Sequence, residues 1–172
     1  YEWIFGDGDV SSSSASALTH TYRNTTALPI FHDLRLVVKN NARGCTDTLV
    51  RIISVYPEVS SAFVVDNSSV CHGTGVNFFN LSSPTASMFE WDFGDGGSDS
   101  SRHPEHTFEN MTDVNADYIV RLVSSTPYLC SDTSFQTIQT HPYINASYSV
   151  DEFQGCAPFT LVLHNDSEGA IS

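Results

Sequence analysis

Apolar and polar residues alternate along several short stretches of the chain, most clearly at residues 89–93. In the sequence Phe-Glu-Trp-Asp-Phe the aromatic residues take one parity and the acidic residues the other, as in a half-buried β-strand. The Gly-Asp-Gly at residues 94–96 ends this strand, because glycine accepts positive φ and aspartate bonds to its own backbone. The pattern therefore predicts an aromatic strand that leads directly into a tight acidic turn.

The same reasoning predicts other short strands in this part of the chain. They lie at residues 62–66, 76–80, 106–108, 118–122 and 132–140, with polar loops at 67–75 and 98–104. The apolar parity of the second and fourth strands predicts a buried set, namely Val76, Phe78, Tyr118, Val120 and Leu122. No stretch has the spacing of an amphipathic helix. About seven short strands in fewer than about 90 residues indicate an all-β fold, an antiparallel sandwich of immunoglobulin-like size.

The sequence also repeats itself with a period of about 86 residues. The aromatic strand, its turn and a later histidine all occur twice. This structural motif consists of Trp3, Asp7 and His20 in the first copy and of Trp91, Asp95 and His106 in the second. Because the residues recur together, we interpret them as packing and turn positions.

The phase of the repeat divides the chain into three parts. Residues 1–58 carry only the later strands of one unit, residues 59–143 form a complete unit, and residues 144–172 carry only the opening strands of a third. The connectors at 55–58 and 140–143 contain one proline each and no Gly/Ser tract, which predicts stiff spacers and a rod of sandwiches. We therefore expect a segment of a longer repeat protein, whose ends are completed by the continuing chain or by another copy.

The net charge of the chain limits the classes of molecule that it can bind. There are 20 Asp and Glu against 7 Lys and Arg, a net charge of −13, which argues against binding to nucleic acid. Such a surface is well solvated and suits an extracellular protein. No apolar run approaches the roughly 18–20 residues of a membrane helix, so we expect no membrane insertion in this segment.

Candidate chemistry is sparse. Asp92, Asp95 and Asp99 surround the acidic turn and are candidate Ca²⁺ ligands, although no loop has EF-hand spacing. The alternative is that Asp95 caps its own turn and the other two are solvated. His103 and His106 have the spacing of paired zinc ligands, but no further ligand accompanies them. No nucleophile elbow or phosphate-binding loop is present, so we predict a protein that is not an enzyme and needs no cofactor other than a candidate Ca²⁺.

These motifs resemble the PKD (polycystic kidney disease) domain. The resemblance lies in residues 91–96, 104–108 and 118–123, and is repeated at residues 3–8, 20–22 and 34–36, with Ile4 and Phe108 as departures. It implies tandem extracellular β-sandwiches that serve as a spacer, an adhesive stalk or an accessory to a secreted enzyme, without catalysis. The Cys-Ser/Thr-Asp-Thr element resembles PKD arrays in surface proteins of gliding Bacteroidota.

Four cysteines at recurring positions in a secreted repeat suggest disulfides. They are Cys45, Cys71, Cys130 and Cys156. In an immunoglobulin-like sandwich Cys71 and Cys130 fall at opposite ends, too far apart for a disulfide. We therefore favour pairing between units, with Cys71 bonded to the equivalent of Cys45 in the following unit and Cys156 to the equivalent of Cys130 beyond it.

The resulting functional hypothesis is a non-catalytic segment of a long extracellular repeat protein, the stalk or filament of a cell-surface adhesin. The first alternative is an array of carbohydrate- or protein-binding accessory modules in a secreted hydrolase, and the second is a linker stiffened by Ca²⁺. Expected partners are neighbouring repeats or copies of the chain arranged head to tail, and a surface glycan or protein ligand. Phe79 is predicted to be exposed, as a contact between units or a ligand platform. Of six Asn-x-Ser/Thr sequons, Asn80 and Asn165 recur at one position, which favours a turn-side hydrogen bond over a glycan.

Overall fold

A computed structural model describes residues 1–40 and 42–169, whose regular elements are all β-strands. None of these residues belongs to a helix long and apolar enough to cross a membrane. The strands are β1 (Glu2–Ile4), β2 (Val10–Ser12), β3 (Ile30–Asn40), β4 (Cys45–Val55), β5 (Phe63–Val65), β6 (Ser69–Cys71), β7 (Gly75–Asn80), β8 (Met88–Asp92), β9 (Ser98–Asp99), β10 (Glu105–Thr107), β11 (Ala116–Ser125), β12 (Ser131–His141), β13 (Tyr148–Val150) and β14 (Leu163–Asn165).

Strands β5 to β12 form a sandwich of two sheets. One sheet has the order β10-β7-β5 and the other the order β6-β12-β11-β8-β9. Side chains from both sheets meet in a single core, whose fully buried members include Val76, Phe78, Trp91, Val120 and Leu122. The structure thus confirms the all-β sandwich that the alternation of apolar and polar residues predicts for this part of the chain. Tyr118 is an exception, because it is only partly buried at the edge of the core.

The sandwich differs from the prediction in two loops. The loop at 67–75 contains the short strand β6, which pairs in parallel with β12, so the sandwich is not purely antiparallel. The loop at 98–104 begins with β9, which extends the second sheet beyond β8. Both strands have three residues or fewer, and two or three residues are too few for alternation to be recognised.

Residues 1–58 form a single sheet with the order β2-β1-β3-β4. Its pairing repeats that of the sheet β9-β8-β11-β12. Trp3 lies opposite Leu36 as Trp91 lies opposite Leu122, and Leu36 lies opposite Leu49 as Leu122 lies opposite Ser134.

Strands β13 and β14 form a hairpin whose register repeats that of β5 and β7. Tyr148 lies opposite Asn165 as Phe63 lies opposite Asn80, 85 positions earlier in each strand. The same side chains close both hairpins: the Ser82 hydroxyl bonds to the backbone of Ala62, and the Ser167 hydroxyl bonds to that of Ser147. Residues 170–172 of the last predicted unit lie outside the described residues.

Candidate functional site

The acidic turn is locked by a histidine. His106 Nε2 lies 2.7 Å from Asp95 Oδ2, and the His106 ring stacks on Phe93 with the ring centres 3.9 Å apart. Gly94 has a φ of +81°, and a Cβ at this position would lie 2.6 Å from the Ile119 carbonyl oxygen. The turn therefore requires glycine where it crosses β11, and it holds the end of β8 against the neighbouring strand.

The first copy of the motif has the same geometry. His20 Nε2 lies 2.6 Å from Asp7 Oδ2, and its ring stacks on Phe5 at 3.8 Å. The hydrogen bond from His20 lowers the pKa of the Asp7 carboxyl. At Asp95, partial burial raises the pKa, but the hydrogen bonds from His106 and from the Gly97 amide outweigh it and hold the pKa below its ordinary value. The recurring histidine and aspartate are thus turn-locking residues.

The predicted Ca²⁺ ligands do not converge. Asp92 Oδ1 accepts a bond from the Gly94 amide, Asp99 Oδ1 one from the Ser101 amide, and Asp95 is bonded to His106. Within residues 1–40 and 42–169, the group whose ligand atoms lie within 4.8 Å of one another is Asp7, Asp9 and His20. Ca²⁺ binding by Asp92, Asp95 and Asp99 stays a prediction.

A buried asparagine holds the loop that precedes β3 in the first sheet and the loop that precedes β11 in the sandwich. Asn110 Nδ2 donates to the carbonyl oxygens of Val114 and Thr140, and Asn110 Oδ1 accepts from both the amide and the hydroxyl of Thr112. Asn24, 86 positions earlier, makes the equivalent four bonds to Leu28, Val55 and Thr26. Both asparagines lie in sequons, and their burial at 2–3% exposure gives these sequons a structural explanation. In the sequence this pair is marked by its spacing of 86, which the alternation of apolar and polar residues does not show.

The same asparagines hold both connectors. The Glu58 amide donates to the Asn24 carbonyl oxygen at 2.9 Å, and the Tyr143 amide donates to the Asn110 carbonyl oxygen at 3.0 Å. The side chain of each asparagine also binds the end of the strand that leads into the connector, β4 for Asn24 and β12 for Asn110. Each connector is therefore held at a fixed position where it begins. Pro57 of the first connector is fully buried.

Residues of the first connector contact the sandwich that follows it. The rings of Tyr56 and Tyr128 stack with centres 4.7 Å apart. The Thr85 hydroxyl donates to the Glu58 carbonyl oxygen at 2.8 Å. Within residues 59–143, the Ser61 amide donates to Asp132 Oδ2 at 2.8 Å, which anchors the chain where it enters the sandwich.

At the second connector a cavity of about 780 Å³ takes the place of such contacts. It is lined by residues of β6, β12 and the connector, including Cys71, His72, His141 and Tyr143. His141 corresponds in the repeat to Tyr56, which Tyr128 covers at the first connector.

Both ends of the chain carry uncovered apolar faces. Trp91, Leu122 and Ile138 are fully buried in the sandwich, whereas the equivalent residues Trp3, Leu36 and Ile53 of the first sheet are only partly buried. In the last hairpin, Leu163 is 65% exposed where its equivalent Phe78 is fully buried. Leu161 is 44% exposed where Val76 is fully buried. These two faces are the largest departures from a closed core.

The remaining predicted residues lie apart from one another. The thiols of Cys45, Cys71, Cys130 and Cys156 are all free, the third half-buried and the others exposed. Phe79 is 45% exposed, as predicted.

His103 Nδ1 accepts a hydrogen bond from the Asn80 amide, whereas His106 bonds to Asp95, so the two histidines have different partners. Asn80 and Asn165 each accept a bond from the amide two residues later, which confirms the turn-side hydrogen bond.

Comparison with known proteins gives similarity only at the level of structure. No family model matches the chain. No curated protein matches it either. The PKD1 domain of Vibrio anguillarum Epp is 21% identical with a TM-score of 0.41, covering 50% of this chain and 96% of that one. The PKD1 domain of the Vibrio cholerae metalloprotease PrtV is 24% identical with a TM-score of 0.40, covering 49% and 98%. A structure of carbohydrate-binding modules from the β-sandwich superfamily is 18% identical with a TM-score of 0.45, covering 54% and 44%.

Proposed function

We propose that the chain is a non-catalytic structural segment of an extracellular repeat protein, the stalk or filament of a cell-surface adhesin. In this proposal residues 59–143 are one complete PKD-like unit. Residues 1–58 supply the later strands of the preceding unit and residues 144–172 the opening strands of the next. The units follow one another as a rod.

The observation that carries the proposal is the repeated connector. Two connectors 85 residues apart are held by equivalent bonds from Asn24 and Asn110. A ligand-binding site does not require the two connectors to be held by equivalent bonds. A rod does require it, because each unit must follow the previous one in the same orientation. The contacts of Tyr56 with Tyr128 and of Glu58 with Thr85 add to the stiffness of the first junction.

The two open faces support the same proposal. Among the described residues the first sheet is not covered by equivalents of β5, β6 and β7, and β13 and β14 are the equivalents of β5 and β7 in the same register. An exposed apolar sheet face and unpaired strand edges favour association with complementary strands. In the protein the continuing chain or a second copy would complete each unit, and for the 172-residue chain by itself we propose a second copy arranged head to tail.

Sedimentation velocity across a range of protein concentrations tests the proposal. We expect the 172-residue chain to form strings that lengthen with concentration, at about 0.15 M salt to screen the charge of −13 per copy. A shorter chain of residues 59–143 lacks both open faces and should stay monomeric. A folded, monodisperse monomer of all 172 residues at every concentration would contradict the proposal.

A glycan array distinguishes the accessory-module alternative. The stalk proposal predicts no saturable binding by this segment. Saturable binding that is lost in Phe79→Ala would instead favour a carbohydrate-binding module, because Phe79 is an exposed aromatic on the outer face of the sandwich.

A further inference from the structure

The two cysteines of the sandwich lie at opposite ends of one strand. Cys71 pairs in register with His141, the last residue of β12, whereas Cys130 directly precedes Ser131, its first residue. A strand of 11 residues is about 36 Å long at about 3.3 Å per residue. A disulfide needs Cα atoms within about 7 Å. Each cysteine therefore needs a partner outside its own unit.

The first connector indicates where that partner lies. Tyr56 is the residue equivalent to His141, and its ring stacks on Tyr128, two residues before Cys130. A cysteine that lay beside Tyr56, as Cys71 lies beside His141, would be next to the hairpin that carries Cys130. The end of one unit and the cysteine-bearing hairpin of the next thus meet at a junction.

The chain contains a cysteine for that position at its other end. Cys156 is equivalent to Cys71, 85 residues later. When the hairpin β13–β14 of one copy completes the first sheet of a second copy, Cys156 comes to lie beside Tyr56 of that second copy. It then faces Cys130 of the second copy across the Tyr56–Tyr128 stack.

The second junction gives the other pair. Cys71 lines the cavity of about 780 Å³ beside His141. The hairpin that would fill this cavity is the β3–β4 hairpin of the second copy, in which β4 begins at Cys45. Cys45 is equivalent to Cys130 and is exposed.

We propose that two disulfides fasten each head-to-tail contact: Cys71 of one copy to Cys45 of the next, and Cys156 of the first to Cys130 of the next. The inference rests on the proposed head-to-tail arrangement. Each bond forms by thiol–disulfide exchange with a small disulfide such as oxidised glutathione. One thiolate attacks that disulfide and releases one glutathione, the second thiolate displaces the other, and the two protein thiols lose two protons and two electrons in total. The pair of bonds makes the junction covalent at both ends of the completed unit.

Peptide mapping of mixed copies tests the pairing. Isotope-labelled and unlabelled chains are mixed, oxidised in a glutathione buffer and cleaved after glutamate. This cleavage places the cysteines on separate peptides at 3–58, 59–90, 110–152 and 153–168. We expect Cys45–Cys71 and Cys130–Cys156 peptides, with labelled and unlabelled halves joined. In Cys45→Ser the first linkage should disappear and the second should remain.

Sedimentation under reducing conditions separates this inference from the proposed function. Strings that form when reduced, and yield the two expected linkages when oxidised, support both. Strings whose thiols stay free, or which yield Cys71–Cys130 or Cys45–Cys156 as the main linkages, would overturn the disulfides and leave the head-to-tail arrangement standing. A chain that is monomeric both reduced and oxidised would overturn both.

Discussion

The first sheet and the sandwich are built from equivalent strands in equivalent registers, but they differ in what covers them. In the sandwich the sheet β9-β8-β11-β12 faces the three strands β5, β7 and β10, and Trp91 is fully buried. In the first sheet the equivalent Trp3 is only partly buried. The local hydrogen bonds are nevertheless the same in both, since the histidine–aspartate pair of the turn and the buried asparagine recur with equivalent partners.

This difference separates local from long-range stability. Turns, clasps and strand pairing need only the strands of one sheet, whereas closing the core needs a second sheet, which covers Trp91 in the sandwich and is missing over Trp3. Burial of one leucine contributes about 1.5–3 kcal/mol. Several apolar residues remain exposed on each open face, so in the proposed head-to-tail arrangement these faces gain the most from association.

The largest expected effect is at the buried tryptophan. Trp91→Ala removes a side chain packed against Phe78, at 5.5 Å between ring centres, and a bond from its Nε1 to the Ser101 carbonyl oxygen. We expect it to lower the free energy of unfolding by about 3–5 kcal/mol. Urea denaturation followed by circular dichroism measures this. Trp3→Ala in the open sheet is the matched control and should cost much less in a monomeric sample. A shift below about 1 kcal/mol for Trp91→Ala would indicate that Trp91 is a surface residue.

The asparagine clasp should rank next. Asn110→Ala removes the buried bond to the Thr140 carbonyl oxygen, and loss of a partner by a buried polar group costs about 1–3 kcal/mol. The exposed neighbour Asn115 offers a control, because Asn115→Ala should change stability by no more than about 0.5 kcal/mol. Equal effects in the two urea curves would show that the clasp does not stabilise the connector.

Acid should weaken the turn lock. The folded-state pKa of Asp95 is lowered, so its hydrogen bonds stabilise the protein above the unfolded value of about 3.9, and this stabilisation is lost as the pH falls below about 4. We expect the melting temperature to fall more steeply with pH in the wild type than in Asp95→Asn, which has no charge to lose. Parallel curves in thermal melts between about pH 5 and 2 would contradict this role.

Removal of Ca²⁺ should have the smallest effect. Asp92, Asp95 and Asp99 are bonded to neighbouring groups, so EDTA should leave the melting temperature of the chain nearly unchanged. A large decrease that added Ca²⁺ reverses would identify metal ligands. Asp95→Asn and Asp9→Asn would then distinguish the predicted site from the group at Asp7, Asp9 and His20.

The sequence predicts most of the sandwich because its strands are amphipathic and its turns need glycine. Alternation was sufficient to identify the buried side of β7 and β11, and the spacing of the repeat identified His20 and His106 as equivalent. The parallel strand β6 could not be found in this way, since its pairing with β12 depends on residues about 70 positions apart. The asparagine clasp was hidden because Asn-x-Thr also reads as a glycosylation sequon, and only its bonds to Val114 and Thr140 reveal its role.

Complementation between two damaged copies tests the central claim most directly. Leu36→Asp places a charge on the open face of the first sheet, and Leu163→Asp places one on the open face of the last hairpin. Each variant keeps only one of its two faces intact. Neither should associate with itself, because a head-to-tail contact needs an intact first sheet from one copy and an intact last hairpin from the other. An equimolar mixture should form a dimer that grows no further, because the intact hairpin of the first variant fits the intact sheet of the second. Val37→Asp and Ser149→Asp, on the outward parity of the same strands, are the matched controls and should form strings like the wild type. Sedimentation velocity of the mixture decides the matter: a discrete dimer is the predicted result, and two monomers that do not interact would contradict the account.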